Sequence, residues 1–138
     1  MATRHEIRIC EFILLYQRGF YEEDFDEQEK IFLDELVKED PLSDEERQKV
    51  IDTIDEVLRV LPEIDERISS ASKGWKLKRI AKAELAILRL GVYEILYDDE
   101  VPVPVAIDEA VELARDYGRE EGYSFVNGVL GTIAKNGG

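Results

Sequence analysis

His5 is the only histidine and Cys10 the only cysteine in this 138-residue chain, so any nucleophile-and-base chemistry would have to be built from those two side chains. A Ser-His-Asp or Cys-His site needs an imidazole within hydrogen-bond reach of its nucleophile. His5 and Cys10 lie five positions apart, off a common helical face, and Cys10 sits in an apolar run with Ile7, Ile9, Phe12 and Ile13. That run predicts a buried thiol acting as a small hydrophobe. Carboxylates are abundant, but nineteen of them fall within 21–66, the pattern of a solvated face rather than of an acid/base pair. Gly128 and Gly131 have no strand before them, so they make no phosphate-cradling loop. Their expected role is close helix–helix approach, at about 1 kcal/mol each relative to alanine. No zinc-type spacing occurs. The chain reads as one that binds partners, with no metal, no cofactor and no small-molecule substrate.

Three groups of residues carry binding chemistry. Arg4 and Arg8 are four apart, with His5 beside them, so one helix face would show both guanidinium groups near its start. Guanidinium forks match phosphate oxygens. Lys73, Lys76, Lys78, Arg79 and Lys82 form a basic island around Trp75. Tyr117, Tyr123 and Phe125 cluster about a glycine-containing turn, and such rings stack on the bases of single-stranded RNA. The bland alternatives are a solvated helix end, a lysine-bearing amphipathic face and ordinary core packing.

Helices must position these groups. Apolar residues recur near a period of 3.6 through most of the chain, and no stretch alternates long enough for a strand. The spacing predicts a helix over 4–18, stopped at Gly19, and another over 25–38. A long helix over 43–71 opens with a Ser43/Glu46 capping box and is kinked or restarted at Pro62. Ser69 to Gly74 forms a junction, and a short turn follows near Leu77. Further helices are expected over 83–98, from Pro104 to Tyr117, and over 122–135, with Gly118 as an end signal. The expected fold is all-α, about seven helices with short loops.

The length fits a single domain over 1–138, with sub-bundles of about 1–72 and 73–138. Net charge is −14 but unevenly spread: +1 over 1–20, −14 over 21–66, +6 over 67–89 and −7 over 90–138. A basic island in an acidic protein hints at an anionic partner. The absence of an apolar leader or of about 20 consecutive apolar residues points to the cytoplasm and away from membranes.

Glu84-Leu85-Ala86-Ile87-Leu88-Arg89-Leu90-Gly91-Val92-Tyr93-Glu94, then Val101-Pro102-Val103-Pro104-Val105-Ala106-Ile107-Asp108-Glu109-Ala110-Val111-Glu112-Leu113-Ala114, then Phe125-Val126-Asn127-Gly128-Val129-Leu130, resemble the bacterial NusB family in order and gaps. The resemblance is specific over 73–134 and weaker over 4–72. It implies two three-helix bundles and a transcription antitermination factor. Such a factor binds boxA RNA of ribosomal RNA operon leaders together with NusE, a small-subunit ribosomal protein, and helps RNA polymerase pass terminators. By matching position it implies RNA contacts at Arg4, His5 and Arg8, and at Tyr117, Glu121, Ser124 and Phe125. Glu6 and Ile7 dilute the family's arginine-rich segment; Pro104 and Ser124 stand where basic residues are common, and Asp108 replaces a common asparagine. The competing reading is a protein-only adaptor that docks NusE or polymerase with little RNA contact. The same fold also leads an RNA cytosine methyltransferase, but a chain ending at Gly138 leaves no room for a cofactor-binding domain.

Overall fold

The computed structural model describes residues 3–18, 42–73 and 76–136; among them are six α-helices, one 3-10 turn and no strand. The helices are α1 (Arg4–Arg18), α2 (Asp44–Arg59), α3 (Leu61–Ala71), α4 (Lys82–Tyr97), α5 (Val103–Tyr117) and α6 (Gly122–Lys135), with the 3-10 turn at Leu77–Arg79. The helix expected over 25–38 and the stop at Gly19 lie outside the described residues.

Two helix starts are built by the same local device. The Ser43 amide donates to Glu46 Oε1 at 2.9 Å while the Glu46 amide donates to Ser43 Oγ at 3.1 Å. Thr3 and Glu6 repeat this reciprocal capping at 2.9 and 3.1 Å ahead of α1. Glu6, which dilutes the basic N-terminal motif, therefore has a local structural job. The long helix expected over 43–71 restarts rather than kinks. α2 ends at Arg59, Pro62 sits in the first turn of α3, and the Val60 carbonyl accepts from the Glu63 and Ile64 amides.

The chain divides into two compact units, Met1–Arg59 and Val60–Gly138. The division falls ahead of the Ser69–Gly74 junction, because α3 packs against α4 and α6. In the first unit α1 packs on α2. Phe12, Leu14, Leu15, Val50, Ile54 and Val57 are buried, and Cys10 with them. Burial is the main cause that pushes the Cys10 thiol up from 9.0 to about 11. A thiol-reactive disulfide reagent at pH 8 should leave Cys10 unmodified in the folded protein and modify it in denaturant. Modification of the folded protein at a free-thiol rate would contradict the burial.

In the second unit α4 lies against α3, α5 and α6, and it is buried on nearly every side, from Ala86, Ile87 and Leu88 to Val92 and Ile95. Close approach here depends on Gly91, where an added Cβ would stand 2.9 Å from Leu130 Cδ1. Gly128 and Gly131, the glycines expected to serve helix–helix approach, have nothing within 4 Å of such a Cβ. Their helix turns that face outward. Arg89 ties α4 to α3, with Nε donating to Asp65 Oδ1 at 2.9 Å and Nη2 to Oδ2 at 3.0 Å. No described helix is long and apolar enough to cross a membrane.

Candidate nucleic-acid interface

The residues that could meet RNA fall into both units, and each group is described by itself. In the first unit Arg4 is exposed and His5 half-buried. Arg8 is only 3% exposed, contrary to the expectation that both guanidinium groups would show. The reason is its place in a helical stripe: Arg8, Glu11, Phe12 and Leu15, at i, i+3, i+4 and i+7, are all buried. Arg8 is part of the packing of α1 rather than an open phosphate fork.

In the second unit the turn between α5 and α6 organises the site. Tyr117, 46% exposed, closes α5. Gly118 ends that helix, as expected, with extended backbone (φ −89°, ψ −175°). It is glycine for want of room: an added Cβ would lie 2.7 Å from the Ala114 carbonyl oxygen. The left-handed residue is Glu121 (φ 70°), immediately before α6. Among the described residues the other non-glycine with positive φ is Lys73 (φ 42°), just past α3. Left-handed backbone at a residue with a side chain is costly, and such outliers cluster at functional sites.

An open groove of about 300 Å³ runs between the turn at Lys73 and one face of α6. The end of α3 contributes Ala71, Ser72 and Lys73; α6 contributes Ser124, Phe125, Gly128, Val129 and Thr132. Lys73, from the basic island, and Ser124 and Phe125, from the aromatic patch, therefore share one cleft. Gly128 leaves the cleft open where a side chain would intrude. Phe125 is half-buried and Ser124 exposed. Tyr123 is covered: the Arg115 guanidinium carbon lies 4.6 Å from its ring centroid. Lys76, Lys78, Arg79 and Lys82 are all exposed around the 3-10 turn, while Leu77 is half-buried and Ile80 buried.

Beneath the α5–α6 turn lies a group that sequence reasoning passed over. Glu84, in the first turn of α4, is fully buried, and its carboxylate accepts three hydrogen bonds from Arg119. The backbone amide and Nε donate to Oε2 at 3.0 and 2.8 Å, and Nη2 donates to Oε1 at 2.7 Å. Those bonds hold the Glu84 carboxyl below the usual carboxylate range against the opposing effect of burial, and they raise Arg119. The available signal was the one acid in the first turn of a helix rich in apolar residues.

The NusB family model matches residues 5–135. The transcription antitermination protein NusB of Agathobacter rectalis is 42% identical over 133 residues, 96% of this chain and 99% of that protein. The chain belongs to the NusB family. Its fold is similar to that of T. maritima NusB, with a TM-score of 0.87, 33% identity, and coverage of 99% of this chain and 93% of that one. It is also similar to a NusB solved with NusE and double-stranded RNA, with a TM-score of 0.83, 26% identity and 96% coverage of each chain. Of the residues the NusB resemblance singles out, Ser124 and Phe125 share one cleft of the second unit with Lys73, whereas Arg8 is withdrawn into the packing of the first.

Proposed function

We propose that this NusB-family chain is a transcription antitermination factor that holds boxA-type single-stranded RNA together with NusE and supports passage of RNA polymerase through terminators. It binds and does not catalyse, and acting on nascent transcripts places it in the cytoplasm. The two three-helix bundles implied by the resemblance, and the count of about seven helices expected from the periodicity, belong to the same reading. One observation carries the site: the groove that joins Lys73 to Ser124 and Phe125. It offers a cation, a hydroxyl and a ring in one opening, the set a phosphate and an unstacked base require. In this reading Arg4 and His5 contact phosphates, Tyr117 and Phe125 offer rings, and Glu121 and Ser124 line the approach. The related NusB solved with NusE and RNA supports the choice of partners. Burial of Arg8 favours the second reading, a protein-only adaptor, since it withdraws one expected phosphate contact. Reconstituted transcription decides between function and none. Adding the chain with NusE should raise read-through of a terminator downstream of a boxA leader, and read-through that is the same without the chain would refute the proposal.

The groove gives a paired prediction. Gly128→Ala and Gly131→Ala should each raise stability by up to about 1 kcal/mol, since both lie in α6 with open space around them. Only Gly128→Ala should weaken RNA binding, because only Gly128 lines the groove. Thermal melts and RNA titrations of the two variants check this, and equal RNA affinity would remove the groove from the site.

Lys76, Lys78, Arg79 and Lys82 extend the positive surface beyond Lys73, and the three residues from Lys73 to Lys76 can span no more than about 11 Å. Replacing Lys76 and Lys78 by glutamate should weaken RNA binding and flatten its salt dependence, as expected when cations that displace counterions are lost. Unchanged affinity and slope would return those lysines to a solvated face.

A further inference from the structure

Four residues separate Tyr117 from Gly122, and the turn they form leads directly to Ser124 and Phe125. A turn of this kind would normally move relative to the helices it joins. Here it is fastened from below. Glu84, buried at the start of α4, receives the Arg119 backbone amide as well as two guanidinium N–H groups. The backbone bond fixes the path of the chain, and the side-chain bonds fix the carboxylate that receives it. The Gly122 amide then donates to the Arg119 carbonyl at 2.9 Å and starts α6. The fit leaves no slack. A Cβ at Gly122 would stand 2.3 Å from Glu84 Oε2, and one at Gly118 would stand 3.4 Å from the same oxygen. The start of α6 also favours a carboxylate at that place through its dipole.

A buried carboxylate is a costly way to hold a turn, since an apolar side chain of similar volume often stabilises as well. It provides direction instead: three hydrogen bonds set the position of Arg119 and hence of the residues on either side. We propose that Glu84 and Arg119 are positioning residues for the RNA face, a clasp that fixes the 117–125 segment so that Tyr117 and Phe125 are presented together to single-stranded RNA. The inference rests on the RNA-binding reading above. Arg119 itself acts through the turn and not by contact with phosphate.

The test measures boxA RNA affinity in the presence of NusE, and its salt dependence, for the parent, Gly122→Ala, Arg119→Ala and Gly131→Ala. Hydrogen exchange at the Arg119 amide and a thermal melt are recorded for each. Gly122→Ala displaces the Glu84 carboxylate without altering any charge, and Gly131→Ala controls for a methyl group added to the same helix. Opening the clasp in Gly122→Ala should speed Arg119 amide exchange and weaken RNA binding about fivefold or more, the range for a lost base stack, well below the melting temperature. The log–log salt slope should stay at the parent value in both clasp variants, and Gly131→Ala should bind as the parent does. Faster amide exchange with unchanged RNA affinity would overturn the proposal, because the clasp would then be open without consequence. A slope reduced by about 0.7 in Arg119→Ala would also overturn it, since Arg119 would be a phosphate contact. If Gly122→Ala does not fold, Arg119→Ala and Glu84→Gln carry the same comparison. A parent that fails to bind boxA RNA refutes the RNA-binding reading and the clasp with it; a parent that binds while every folded clasp variant matches it refutes the clasp alone.

Discussion

Arg119→Ala should lower the unfolding free energy by about 3 kcal/mol at pH 7, the low end for stranding a buried charge. The discount reflects the 59% exposure of the Arg119 side chain, which lets water replace part of what is lost. The penalty should depend on pH in a definite direction. In the folded parent the Arg119 hydrogen bonds hold Glu84 below its ordinary value of 4.5. The unfolded chain therefore binds the proton more readily than the folded one, and the Glu84 contribution is complete above the unfolded value. It is lost as pH falls from there through the folded value. In Arg119→Ala the stranded carboxylate prefers its proton, so the gap between variant and parent should be widest at neutral pH and should close in acid. Urea unfolding at pH 7 and at several lower values, with the slope in denaturant checked for constancy, measures it. A variant as stable as the parent at pH 7 would mean that the ion pair contributes nothing.

Tyr117→Ala and Arg4→Ala should both weaken boxA RNA binding in the presence of NusE, by different physics. Tyr117 is exposed at the end of α5 and precedes the clasped turn, so its removal should cost the fold little. Loss of its ring from a stack is worth about 1–3 kcal/mol and should leave the salt slope unchanged. Arg4 is exposed at the start of α1, and losing a phosphate contact there should reduce the slope by about 0.7. Arg8→Ala is a poor substitute for Arg4→Ala: with 3% exposure, its removal disturbs the packing of α1 before it reports on RNA. Titrations of labelled RNA at four or five salt concentrations separate the two behaviours. Parent-like affinity in both variants would move the RNA site elsewhere.

Local sequence signals carried most of the helical layout. The Ser43/Glu46 box and the restart at Pro62 are set by side chains acting within four residues, and the structure places helix ends there and at Gly118. Period alone put Val50, Ile54, Val57, Leu58, Leu61, Ile64, Ile68 and Ala71 on one apolar stripe; five of these are buried, while Leu58, Leu61 and Ala71 are half-buried. What sequence could not show depends on contacts between distant elements. Arg4 and Arg8 have the same charge and the same helical register, yet one is exposed and the other buried, because Phe12 and Leu15 continue the Arg8 stripe inward. Gly118 marks the end of α5, but nothing local shows that the positive φ of the turn falls at Glu121, three residues on. Gly91, not Gly128 or Gly131, serves close approach, which only the facing Leu130 reveals. Glu84 and Arg119 are 35 residues apart, and nothing local pairs them. The aromatic patch was visible as residue types, whereas the sharing of a groove by Phe125 and Lys73 required the fold.

RNA binding with NusE is the central claim, and fluorescence anisotropy of a labelled boxA RNA tests it most directly. The measurement compares NusE alone, the chain alone and both together at physiological salt, with a scrambled RNA of equal length alongside. The expected result is weak binding by either protein alone, clearly tighter binding by the pair, and a preference for boxA over the scrambled sequence. A chain that binds NusE yet leaves the boxA affinity of NusE unchanged would contradict the account and establish the protein-only adaptor.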